Sequence, residues 1–190
     1  MKKTALLFLL TLILMVPSAN AGTEQGAKEV QLQGSFVNST NSENDDKTTT
    51  STGQLTFNYF LTNWFSLGGT ARISGSRTDY EDENRDDTKS STTFWLLRGD
   101  FYLGGPTSTV VPYIGAQAGI ANYSSESGGN KNSSSTSAYG GHGGLRIFPS
   151  ENVSWNLELD VTSYKPDVDE GQEEVTYTDT SFLLGFSYYF

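Results

Sequence analysis

The 190-residue chain has no cysteine, one histidine and few basic residues: twelve Lys and Arg stand against 22 Asp and Glu. Without cysteine there is no disulfide scaffold, no thiolate zinc site and no thiol nucleophile. A single histidine, His142, excludes a multi-histidine metal centre. A net charge of −10 excludes nucleic acid, whose phosphates need a basic face. No metal or cofactor is expected. A long apolar run is also missing: after residue 21 nothing is long enough to form a membrane helix.

What the chain does have begins with Met1-Lys2-Lys3-Thr4, twelve mostly apolar residues from Ala5 to Val16, and then Ala19-Asn20-Ala21. A cationic start, a short greasy centre and an A-x-A exit form a secretory signal peptide. Twelve helical residues reach about 18 Å, short of a bilayer core of about 30 Å. Residues 1–21 are therefore expected to be a removed leader and 22–190 a single domain. Losing Lys2 and Lys3 takes the charge from −10 to −12.

From Gly22 onward the pattern is alternation with period two. Val153, Trp155, Leu157, Leu159 and Val161 share one face; Ser154, Asn156, Glu158, Asp160 and Thr162 share the other. Successive strand side chains point to opposite faces, so this is a strand with one greasy and one wet side. Similar alternation recurs around Val30–Phe36, Leu55–Tyr59, Phe65–Ile73, Trp95–Leu103, Pro112–Ile120, Tyr139–Ile147 and Phe182–Phe190. Eight strands are expected.

Short connections (60–63, 104–109, 149–152) alternate with long polar ones (38–52, 77–91, 123–137, 165–174). An up-and-down meander puts all short turns at one end and all long loops at the other, an asymmetry that transmembrane barrels show. Eight charged residues fall in the strands: Glu29, Arg72, Arg98, Asp100, Arg146, Glu158, Asp160 and Asp179, all in the polar phase. That phase is rich in Gly and Ser and lacks Lys, which suits a narrow packed interior better than a water-facing surface. Tyr59, Trp64, Phe65, Phe101, Trp155, Tyr188 and Phe190 gather near the short-turn side or the C-terminus, where an interfacial girdle belongs.

Three segments carry a resemblance: Tyr59-Phe60-Leu61-Thr62-Asn63-Trp64-Phe65-Ser66-Leu67-Gly68, Val111-Pro112-Tyr113-Ile114-Gly115-Ala116, and the closing Phe186-Ser187-Tyr188-Tyr189-Phe190. With them the chain resembles the small outer-membrane β-barrel proteins of Gram-negative bacteria, of the OmpA transmembrane-domain and OmpX type. The resemblance implies an all-β, eight-stranded antiparallel up-and-down transmembrane β-barrel in the outer membrane. It also implies contact with lipid and lipopolysaccharide, and a terminal signal (Phe186, Tyr188, Phe190) for the barrel-assembly machinery. A monomer is expected.

In such a barrel Arg72, Arg98 and Arg146 are expected to pair with Asp100, Glu158, Asp160 and Glu29, because unpaired charge in a narrow bore is costly. Folding about the 149–152 turn places His142 level with Leu159, between Glu158 and Asp160. An enzyme is not expected. Barrel lipid A deacylases as a family carry His-x-Ser, and here His142-Gly143-Gly144 has no serine. The acidic run Asp79–Asp87 lacks the spacing of a calcium loop and is expected to be solvated, and Ser124–Ser137 to be flexible. A structural or surface-interaction role leads. A narrow gated ion channel and a soluble periplasmic ligand-binding barrel remain open.

Overall fold

The computed structural model describes residues 22–40, 47–79, 88–104, 107–127, 130–165 and 176–190. The proposed leader lies outside the described residues, as does most of the Asp79–Asp87 run. Eight strands follow in order: β1 Lys28–Thr40, β2 Lys47–Thr62, β3 Phe65–Asp79, β4 Thr88–Tyr102, β5 Val110–Ser127, β6 Asn130–Ser150, β7 Val153–Tyr164 and β8 Tyr177–Tyr189. Each pairs antiparallel with its sequence neighbour, and β8 returns to β1, so the sheet closes into a barrel.

The alternation seen in the sequence sets the two faces of the wall. Trp155, Leu159 and Val161 on β7 are exposed, while Ser154, Asn156, Glu158 and Asp160 are buried. Leu55 and Phe57 on β2 face out as Gln54, Thr56 and Asn58 face in. The greasy side is therefore the outside of the barrel, which rules out the soluble barrel with Trp155 and Leu157 packed at its centre. Around the short-turn rim Trp64 stacks on Phe101 with ring centroids 5.7 Å apart, and Phe65 lies 4.7 Å from Phe101. Aromatic rings of this kind suit a membrane–water boundary.

The strands run further than the alternation alone predicted. Residues 123–127 and 130–137, expected in a loop, instead extend β5 and β6, which pair from Val110↔Ile147 to Ser127↔Asn130. The same correction applies to 47–52, 77–79 and 88–91, which extend β2, β3 and β4. The physical reason is that hydrophobic alternation marks only the part of a strand whose two faces meet different media. Above the apolar band both faces are wet, and the backbone ladder carries on without that signal. Hydroxyl pairs bridge neighbouring strands there: Thr48 with Thr78 at 3.1 Å, and Thr50 with Ser76 at 3.4 Å.

One seam is shorter than the rest. β1 and β8 pair only from Glu29↔Tyr189 to Gly34↔Leu184. Among the described residues, 35–40 of β1 pair with β2 alone and 177–183 of β8 with β7 alone. Val37, which parity directs inward, is 57% exposed beside outward Phe36 at 67%. Away from the short turns, the described residues of this seam are unpaired across it.

Candidate functional site

The barrel interior is layered. At the short-turn end Phe60, Tyr102, Val111, Tyr113, Phe148 and Tyr189 form a buried apolar floor. Toward the other end Phe94, Leu96, Ala121, Ala138 and Tyr164 form a second apolar layer. Between the two lies a belt of ionised side chains withdrawn from water.

Each member reaches the belt because its strand parity points it inward. Arg98 Nη2 lies 2.5 Å from Glu158 Oε2 across the bore, and its Nε donates to Asp100 Oδ1 at 2.9 Å on the same strand. Asp100 Oδ1 also meets His142 Nε2 at 2.5 Å. Arg146 Nη1 donates to Glu29 Oε2 at 2.8 Å, and its Nη2 stands 3.7 Å from Asp100 Oδ2. Arg72 pairs with Asp160 one layer higher. The two-pronged Arg98–Glu158 contact fixes orientation as well as charge. Four carboxylates thus face three guanidiniums and one imidazole.

Neutral side chains complete the belt. Tyr113 OH donates to Glu158 Oε2 at 2.6 Å, and Gln54 Nε2 to Glu158 Oε1 at 3.1 Å. Asn58 Nδ2 donates to Glu29 Oε2 at 2.9 Å, and Gln117 Nε2 to Asp160 Oδ2 at 2.5 Å. Glu29 Oε1 accepts from Ser187 at 2.5 Å. The guanidinium faces lie on rings: Arg72 is 4.2 Å from the centre of Phe94, and Arg146 is 4.7 Å from Tyr102. Asp179 is half-buried and accepts from Ser181, apart from the belt.

His142 stands opposite Asp160, not Leu159; Gly143 takes that place. The hairpin closes at Ser150↔Val153, which alone would set Val161 opposite His142, and the register shift between Ile147 and Ser150 brings Asp160 there instead. His142 still lies near Glu158 and Asp160 but bonds to Asp100 across the interior. Tyr113, Gln54, Asn58, Gln117, Phe94 and Tyr189 carry no charge that would mark them in the sequence as members of the site. All six lie in the inward phase. Phe94 and Tyr189 escaped attention because an apolar or aromatic residue in a polar phase reads as noise until the interior is seen to be layered.

The terminal aromatics Phe186, Tyr188 and Phe190 all point outward and are exposed. Tyr188 and Phe190 are stacked, with ring centroids 6.2 Å apart.

A closed antiparallel barrel, greasy outside and charged inside, is a transmembrane β-barrel. The profile of the outer membrane protein beta-barrel domain matches residues 6–190, and the chain belongs to that family. Solved structures agree on the fold. Neisserial surface protein A is 15% identical with a TM-score of 0.54, the match covering 87% of this chain and 98% of that one. Ail, the attachment invasion locus protein of Yersinia pestis, is 16% identical with a TM-score of 0.52, covering 87% of this chain and 99% of Ail. No curated protein sequence matches the chain. The protein is located in the cell outer membrane.

Proposed function

We propose that the protein is a closed, non-enzymatic outer-membrane scaffold whose bore is plugged by its own side chains and whose acidic hairpin tips meet the outside. The observation that carries this is the ion belt held between two apolar layers. Arg98, Asp100, Glu158 and Arg146 are all at most 1% exposed, and Phe60 and Phe148 below them are at 0%. An eight-stranded barrel is only wide enough for its side chains to fill. His142 faces a carboxylate instead of a hydroxyl nucleophile, so the chemistry of acyl transfer lacks its reacting group.

The proposed surroundings follow from the outer face. Lipid and lipopolysaccharide acyl chains bathe the ring that includes Leu97 and Phe186. The exposed aromatic alternation Phe186, Tyr188 and Phe190 is offered to the barrel-assembly machinery as the protein inserts. The segments 38–52, 77–91 and 165–174 carry −2, −3 and −4. One structure of Ail holds the heparin analogue sucrose octasulfate. That ligand chemistry is not carried over here, because acidic tips repel a polyanion; cationic or neutral surface partners suit them.

Conductance decides between a plug and a narrow channel. The protein reconstituted in a planar bilayer in concentrated KCl is expected to give no steady open-pore current. A steady current would replace the plug with the channel.

A further inference from the structure

The short-turn end carries a feature the ion belt does not explain. Before β1, residues 22–27 turn back beneath the wall. Gly26 makes that turn at φ +90°, a left-handed conformation that favours glycine. Gly26 N donates to Phe60 O at 2.9 Å, Phe60 N to Ala27 O at 2.9 Å, and Gln25 N to Asn63 Oδ1 at 2.8 Å. Lys28 and Phe190 exchange backbone bonds of 2.9 and 3.0 Å. Thr23 is wholly buried, and its hydroxyl has no hydrogen-bond partner.

Gly22 is pressed onto the C-terminal strand. A Cβ there would sit 2.5 Å from Tyr189 Cγ and 2.8 Å from the Glu151 carbonyl oxygen. Gly22 also borders a cavity of about 190 Å³ whose other walls include Glu24, Glu151, Asn152 and Phe190. Two side-chain carboxylates, Glu24 and Glu151, and no Lys or Arg line this space. Lys28 lies elsewhere, its ammonium 5.9 Å from the Phe190 ring.

We propose that this cavity receives the protein's own α-ammonium, created when the leader is removed. Hydrolysis breaks the Ala21–Gly22 amide. Water supplies the oxygen that leaves Ala21 as a carboxylate, and the Gly22 nitrogen takes up protons to become an ammonium. That new cation brings three donors and a positive charge to a site walled by Glu24, Glu151 and the Glu151 carbonyl. Before cleavage the same nitrogen is a neutral amide with one donor and 21 residues attached. Leader removal therefore locks the strap against Tyr189. Tyr189 OH in turn bonds Glu29 at 3.2 Å and accepts from Arg146 at 3.0 Å. Maturation and closure of the barrel floor become one event. The inference rests on the leader ending at Ala21 and, for its effect on permeation, on the plugged bore.

The test compares refolded Gly22–Phe190 in detergent micelles with the same chain acetylated at its α-amine. Acetylation is expected to speed hydrogen exchange of the Gly26 and Lys28 amides, both bonded in the docked strap, at least about tenfold. E151Q is expected to move the same amides by a smaller factor, and G22V, which keeps the charge but not the fit, to speed them as acetylation does. Equal exchange with free and acetylated ends would overturn the proposal. So would an intact mass, from protein extracted from outer membranes, that corresponds to a start other than Gly22. A steady current through the barrel with its native end in place would refute the plug alone, since the amide exchange reports the docked ammonium separately.

Discussion

At the residue scale Gly115 decides whether His142 can reach Asp100. A Cβ on Gly115 would fall 2.1 Å from His142 Nε2 and 2.5 Å from Asp100 Oδ1. Gly141, on the outward face of the neighbouring strand, has its nearest neighbour at 3.5 Å. Gly115→Ala is expected to cost about 1–3 kcal/mol by overpacking, with Gly141→Ala near neutral, measured by urea unfolding in micelles. Arg98→Met leaves Glu158 and Asp100 without their main cation and is expected to cost about 3–5 kcal/mol. The double variant R98M/E158M should recover part of that loss in the same assay. The members of this belt were legible in the sequence because the charged residues within the alternating segments share the polar phase. Their partners were not. Arg72 and Asp160 are 88 positions apart, and which residues meet across a bore depends on the register of every strand between them.

At the scale of the strand, hydropathy and pairing are separate properties. The alternation of Val153–Val161 or Phe182–Phe190 located eight strands and their inward faces. It could not locate their outer ends, because Ser124–Glu126 and Ser133–Ser137 are polar in both phases and show no contrast. The ladder there is held by backbone bonds, whose presence the side chains do not report. The β1–β8 seam was equally hidden, since nothing in Ser35–Thr40 distinguishes a paired edge from an open one. Unpaired backbone is costly at hydrocarbon depth, so this half-seam is the weak line of the wall. The absence of native cysteine makes it testable. Continuing the register past Gly34 would place Phe36 opposite Phe182. F36C/F182C is expected to oxidise about tenfold more slowly than the paired control L32C/F186C, because the open edges do not hold Cβ atoms at bonding distance. Gel mobility under non-reducing conditions reads both.

For the whole molecule the governing fact is the inversion of the ordinary soluble arrangement. Leu97, at 76% exposure, faces hydrocarbon, while Arg98 beside it is 1% exposed and paired. Leu97→Arg is expected to reduce the free energy of folding into lipid bilayers by about 2–4 kcal/mol, whereas a water-facing site would tolerate it. Folding measured against urea in liposomes separates the two outcomes. Closure has a further consequence for how this barrel can be used. Lys28 and Phe190 exchange backbone bonds, so both ends of the folded chain emerge side by side at the short-turn rim. A cargo domain fused at either terminus is expected to lie on the side of the short turns. Anything meant for display on the cell surface must be spliced into a hairpin tip.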